Sequence, residues 1–195
     1  MPDGRATVPP FDVLVVDDEP DVRELLVEYF RDLGFSPASA ADGRAALSAI
    51  AREPSRYKLI LTDLQLPGAD GLAVLKAAKT ANPSVYVVIV TGYASLDSAI
   101  QAVRLGAYDY LTKPFSIGQI EVIVQRVADR LALEAENRQL TRLVNRDTTD
   151  RTPRADGPLS LGHRMEAIEG RLARCEVLLR EILERLERGG SAPRR

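Results

Sequence analysis

Asp17 and Asp18 stand side by side in "VVDDEP", and a third acid, Asp63, closes the run "KLILTD". Thr91 follows "VYVVIV", and Lys113 ends "YDYLTK". Three carboxylates gathered at one spot repel, since two unit charges about 4 Å apart interact by roughly 4 kcal/mol at an effective dielectric near 20. A hard divalent cation relieves that conflict, and oxygen-only ligands without His or Cys select magnesium or manganese over zinc or copper. With one oxygen on such a metal, Asp63 keeps another as a nucleophile. Attack on a phosphoryl donor gives a mixed anhydride on Asp63. The metal and the Lys113 ammonium neutralise its equatorial oxygens, and the Thr91 hydroxyl donates to one of them. Any one of these residues alone reads better as an ordinary loop-edge polar group, but five together at successive strand ends do not.

The elements that must gather them are legible in the apolar pattern. "DVLVVDD", residues 12 to 18, is a short β-branched run of the kind a strand covered on both faces shows. Pro20 opens a helix with Val22, Leu25, Leu26, Tyr29 and Phe30 on one stripe, stopped by Gly34. The unit recurs: "SPASA" before a helix around Ala45 to Ile50, and "KLILTD" before a helix starting near Gly71. "VYVVIVTG" leads to a helix that Ser95 can cap and Gly106 can end, and "YDYLTK" leads to a helix after Pro114. Five strands alternating with five helices predict an open, doubly wound parallel α/β sheet with right-handed crossovers. Ligands of such sheets bind beyond the carboxyl ends of the strands, where Asp17, Asp18, Asp63, Thr91 and Lys113 all fall.

The stretches "LVVDDEP", "LILTDLQLPGADGL" and "VIVTGYASLDSAIQAVRLGAYDYLTKPF" resemble the receiver domains of two-component response regulators, and the resemblance covers residues 11 to about 130. It implies the flavodoxin-like strand order 2-1-3-4-5. It also implies that Asp63 accepts the phosphoryl group, that Asp18 binds Mg²⁺ directly, and that Asp17 holds a metal-bound water. The backbone carbonyl of Gln65 would complete the metal shell, Thr91 and Lys113 would bind the phosphoryl group, and Lys113 to Pro114 would be cis. Tyr110 falls at the family's switch aromatic. The implied donor is a phosphohistidine on a sensor histidine kinase or a phosphotransfer protein. The stretch from Thr91 to Phe115 looks most like receivers of the nitrogen-regulation type, which normally precede an ATPase and a DNA-binding domain. No G-x-x-x-x-G-K-[ST] loop follows residue 115 and no helix-turn-helix set is evident, so direct DNA binding is not expected.

The 195 residues are 45% hydrophobic with a formal net charge of −2, which describes a globular chain and gives no basic surface for nucleic acid. Cys175 is the sole cysteine, so no internal disulfide forms. "MPDGRATVPPF" lacks the apolar core of a secretion signal, and the apolar run at residues 85 to 90 is too short to span a bilayer. A cytoplasmic protein without membrane insertion is expected.

The expected division is a disordered N-terminus at 1–10, a receiver at 11–130 and a helical extension at 131–145. A flexible linker at 146–162, a coiled-coil helix at 163–188 and a disordered tail at 189–195 follow. The extension carries Leu133, Asn137, Leu140 and Val144, which read as a dimer stem. In the last helix Leu161, Met165, Ile168, Leu172, Cys175, Leu179, Ile182 and Leu186 alternate spacings of 4 and 3, the core seam of a coiled coil. Such a seam implies self-association from dimer to tetramer.

The leading expectation is a response regulator that catalyses only its own phosphorylation and dephosphorylation and reports through helical association, with a downstream protein partner allowed. A constitutive coiled-coil scaffold is the alternative. An aspartate-nucleophile phosphatase of the haloacid-dehalogenase kind is weaker, because that family needs D-x-D-x-[TV] after the first strand and this one ends in "DDEP".

Overall fold

The computed structural model describes residues 11–147, with side chains described to residue 139. These fall into two compact units, one ending at Ile117 and the next beginning at Gly118. In the first, β1 (Asp12–Val16), α1 (Pro20–Asp32), β2 (Ser36–Ala40), α2 (Gly43–Arg52) and β3 (Leu59–Thr62) are followed by α3 (Gly71–Ala81), β4 (Tyr86–Thr91), α4 (Leu96–Arg104) and β5 (Asp109–Thr112). All strand pairings are parallel and the order is β2-β1-β3-β4-β5, the doubly wound, flavodoxin-like sheet expected. Right-handed crossovers in this order put α1 on one face and α2, α3 and α4 on the other. On that second face α2 lies beside α3, and α3 beside α4.

Cover on both faces explains why the central strands are uniformly apolar. Val13 to Val16 in β1, Leu59 to Leu61 in β3 and Val87 to Val90 in β4 are all buried. Each such side chain contributes about 1.5–3 kcal/mol relative to an exposed one. β2, at the sheet edge, is mostly half-buried or exposed and tolerates Pro37, which has no amide to give a neighbour.

Polar caps set the helix starts. Asp42 and Asp70 each accept a backbone N–H at 2.7 Å, from Ala45 and Ala73, and Ser95 forms a reciprocal capping box with Ser98. Such caps stabilise a helix by about 1 kcal/mol each. Because Asp42 is the cap, α2 begins at Gly43, two residues ahead of the apolar pattern that revealed it. Gly34 and Gly106, just past the ends of α1 and α4, take the left-handed φ of +82° and +88° that ends a helix without steric cost.

The expected stripe on α1 needs one correction. Leu26 and Phe30, four residues apart, are buried, and Val22 and Tyr29 are half-buried, but Leu25 is 49% exposed. One step along a helix turns a side chain by about 100°, which takes Leu25 off the covered face.

α5 (Ile117–Asp147), which from Gly118 onward makes up the second unit, is one continuous helix. Ile120, Ile123, Val124, Val127 and Ala128 are buried at helical spacing. Beyond them Leu133 is 59% exposed, and Asn137 is also exposed. The side chains of Leu140 and Val144 lie outside the described residues. So do the expected N-terminal segment at 1–10 and the final helix with Met165, Ile168, Leu172, Cys175, Leu179, Ile182 and Leu186. No described helix is long and apolar enough to cross a membrane.

Candidate functional site

Backbone hydrogen bonds continue the ladder one residue past the strand ends and so fix where the reactive side chains leave the sheet. The Asp63 amide donates to the Val16 carbonyl at 2.8 Å, placing Asp63 beside Asp17. The Asp17 amide donates to Ala40 at 3.2 Å, and the Lys113 amide to Thr91 at 2.8 Å. The crevice opens between β1 and β3, where the direction of winding reverses. Its wall, the loop from Leu64 to Asp70, is pressed by two glycines. A Cβ on Gly71 would stand 2.0 Å from the Asp63 carbonyl oxygen, and one on Gly43 would stand 1.9 Å from that of Ala69. Neither position accepts a side chain without moving the backbone that carries Asp63 or its loop.

Asp17, Asp18 and Asp63 each offer a carboxylate oxygen, all within 4.8 Å of one another. Asp17 and Asp63 are buried, whereas Asp18 is exposed. The Lys113 ammonium reaches into the group, with Nζ 2.8 Å from Asp63 Oδ2, 2.9 Å from Asp17 Oδ2 and 2.7 Å from Glu19 Oε1. The second oxygens of Asp63 and Asp17 are also engaged. Asp63 Oδ1 accepts the Gln65 amide at 3.0 Å, and Asp17 Oδ1 accepts the Glu19 amide at 3.0 Å. Arg23 donates to the Asp17 carbonyl at 2.7 Å and ties α1 to the same turn.

Burial pushes the Asp17 carboxyl above its ordinary pKa, and the hydrogen bond from Lys113 offsets only part of that. For Lys113, burial acts to lower the pKa, but the hydrogen bonds to Asp63, Glu19 and Asp17 outweigh it and hold the ammonium above the ordinary lysine value. Lys113 is therefore cationic at neutral pH. Four carboxylates around one ammonium leave a surplus of negative charge. Hard oxygen donors in that balance suit Mg²⁺, so the residues present fit the metal inferred from sequence.

Thr91 is fully buried, and its hydroxyl accepts the Tyr93 amide at 3.1 Å. Tyr110, at the position of the switch aromatic, is 1% exposed, with its hydroxyl 2.9 Å from Ser98 Oγ at the N-terminus of α4. A phenol can be buried this way because its polar tip has a partner. Burial raises the Tyr110 pKa, and the hydrogen bond with Ser98 offsets part of that. The Lys113–Pro114 peptide is cis, as expected.

Two contributors escaped the sequence reading. Glu19 had a signal, since it is the third consecutive acid in "DDEP". Ser98 had none, because its distance from Tyr110 depends on how α4 lies on the sheet.

The response regulator receiver domain model matches residues 13–125. The chain is 38% identical over 139 residues to the nitrogen assimilation regulatory protein NtrX of Azorhizobium caulinodans, covering 70% of this chain and 30% of that protein. It is 41% identical over 111 residues to the response regulator protein PilR of Pseudomonas aeruginosa, covering 57% and 24%. The chain thus spans about a quarter to a third of the length of these relatives. Among solved structures it is similar to a CheY-like receiver domain protein from Methanospirillum hungatei, with a TM-score of 0.61 and 26% identity over 65% of this chain and 99% of that one. A receiver domain protein from Clostridium thermocellum gives a TM-score of 0.59 and 26% identity, over 63% and 98%. Sheet order, clustered acids and family match agree, and the chain belongs to the response regulator receiver family.

Proposed function

We propose that this chain is a phosphorylation-controlled interaction module whose receiver accepts a phosphoryl group on Asp63 from a histidine kinase or phosphotransfer protein. The observation that carries the reading is the Lys113 ammonium within 2.9 Å of both Asp17 and Asp63, inside a cluster that can hold a divalent cation. Asp17, Asp18, Asp63 and the Gln65 carbonyl would hold Mg²⁺, which when bound supplies positive charge to the transferring group. An Asp63 carboxylate oxygen attacks the phosphorus of a phosphohistidine. A P–O bond forms, the P–N bond breaks, and the imidazole leaves with its electron pair and takes up a proton. Lys113 donates a hydrogen bond to a phosphoryl oxygen, and the Thr91 hydroxyl donates one to another. The chain then acts on no other substrate.

The output is association of chains or docking of a protein partner. Exposed Leu133 on α5 and the heptad seam from Met165 through Ile168, Leu172, Cys175, Leu179 and Ile182 to Leu186 support that output. Thr91 and Tyr110 couple the two ends. Tyr110 is bonded to α4 through Ser98, so a shift of Thr91 toward a phosphoryl group alters the pocket that holds the ring and biases α4. Light scattering with and without beryllofluoride and magnesium tests this, and the expected result is a change in particle mass in the wild type. Tyr110→Ala should still be phosphorylated by acetyl phosphate yet lose most of that change. An equal response in the two proteins refutes the coupling, and no response in the wild type favours a constitutive scaffold.

A further inference from the structure

An ammonium has three N–H donors, and those of Lys113 face Asp17, Asp63 and Glu19. A phosphoryl group on Asp63 turns that carboxylate into an uncharged acyl linkage and takes over its bond to Lys113, and its further acceptor oxygens compete at the same nitrogen for the two bonds that remain. The side chain of Asp17 is 2% exposed and would be left buried without its cation. The Glu19 side chain is 59% exposed, so water replaces Lys113 there at little cost. Glu19 is also held close by its own backbone, whose amide is bonded to Asp17 Oδ1.

We propose that Glu19 is a positioning residue that anchors the Lys113 ammonium at the crevice mouth and yields it when a phosphoryl group arrives. The inference rests on the reading of Asp63 as the phosphoacceptor. Its charge acts with opposite signs on the two ligands of the site. A carboxylate beside the acidic cluster favours a dication, and it disfavours an anionic phosphoryl group that needs the same ammonium. Glu19 therefore biases the free crevice toward metal and against small anionic phosphoryl donors.

The full chain with Glu19→Gln, titrated calorimetrically, separates these effects. The expected result is Mg²⁺ binding weakened about threefold or more, with beryllofluoride at saturating magnesium bound about two- to fivefold more tightly. Glu53→Gln removes an equally exposed glutamate that pairs with Arg56, and it should move neither affinity. A merely structural role for Glu19 would weaken both ligands together. Either that pattern, or wild-type values for both in Glu19→Gln, or the same split in Glu53→Gln, overturns the inference while leaving the phosphoacceptor reading intact. A wild-type chain that binds neither ligand overturns both.

Discussion

Asp63→Asn should abolish acyl phosphate formation, lowering phosphoryl incorporation from acetyl phosphate by about 1000-fold or more. The amide that replaces the carboxylate has no anionic oxygen to attack phosphorus. Its carbonyl oxygen can still accept one of the bonds now made by the Gln65 amide and the Lys113 ammonium, so the crevice keeps its shape. Stability should hold or rise slightly, since one negative charge leaves a cluster crowded within 4.8 Å. Phosphoprotein mass spectrometry with urea unfolding on the same samples checks both halves. Undiminished labelling in a folded variant would place the phosphoacceptor elsewhere.

Lys113→Met should affect chemistry and stability together. Methionine has similar reach but no donor, so the developing phosphoryl charge loses its ammonium. Labelling by acetyl phosphate should fall about 100-fold at saturating magnesium. In the fold, the same change leaves the buried carboxylates of Asp17 and Asp63 without their shared cation. Removing one partner of a closed ion pair costs about 3–5 kcal/mol; the open crevice mouth should reduce this to about 2 kcal/mol.

The pH dependence of that loss has a definite sign. Without Lys113 the Asp17 carboxyl, already held above its ordinary pKa by burial, loses the hydrogen bond that offsets part of that burial. The folded variant then binds more protons at Asp17 than the unfolded chain, so its stability rises as pH falls through the raised folded value. The deficit against wild type should be largest near neutrality and narrow as pH falls into the acid range, as read from urea midpoints. A deficit independent of pH, or none at pH 7, would show that the ammonium does not neutralise these acids.

Much of this site was legible because a buried parallel strand announces its own end. Val13 to Val16 run apolar until Asp17, and Leu59 to Leu61 run apolar to Thr62 and Asp63, so the chemistry-bearing residue is the first charge after the run. Crossover handedness and the family resemblance then fixed the order of strands and the shared crevice. What stayed hidden depends on side-chain direction across separate elements. The Lys113 to Glu19 bond joins residues 94 positions apart, and the Tyr110 to Ser98 bond needs the placement of α4. Leu25 was misjudged because Leu25 and Leu26 cannot both face the core, and residue type alone does not choose between them. Gly71 looked like a helix start and Gly43 gave no signal, and only the approach of two backbones shows why no Cβ fits at either position.

The account stands on carboxylates gathered to hold a divalent cation against the phosphoacceptor. Calorimetric titration of magnesium into the full chain tests that most directly. One saturable site per chain is predicted, weakened at least about tenfold by Asp18→Asn. No saturable uptake, or uptake that Asp18→Asn leaves untouched, would contradict it.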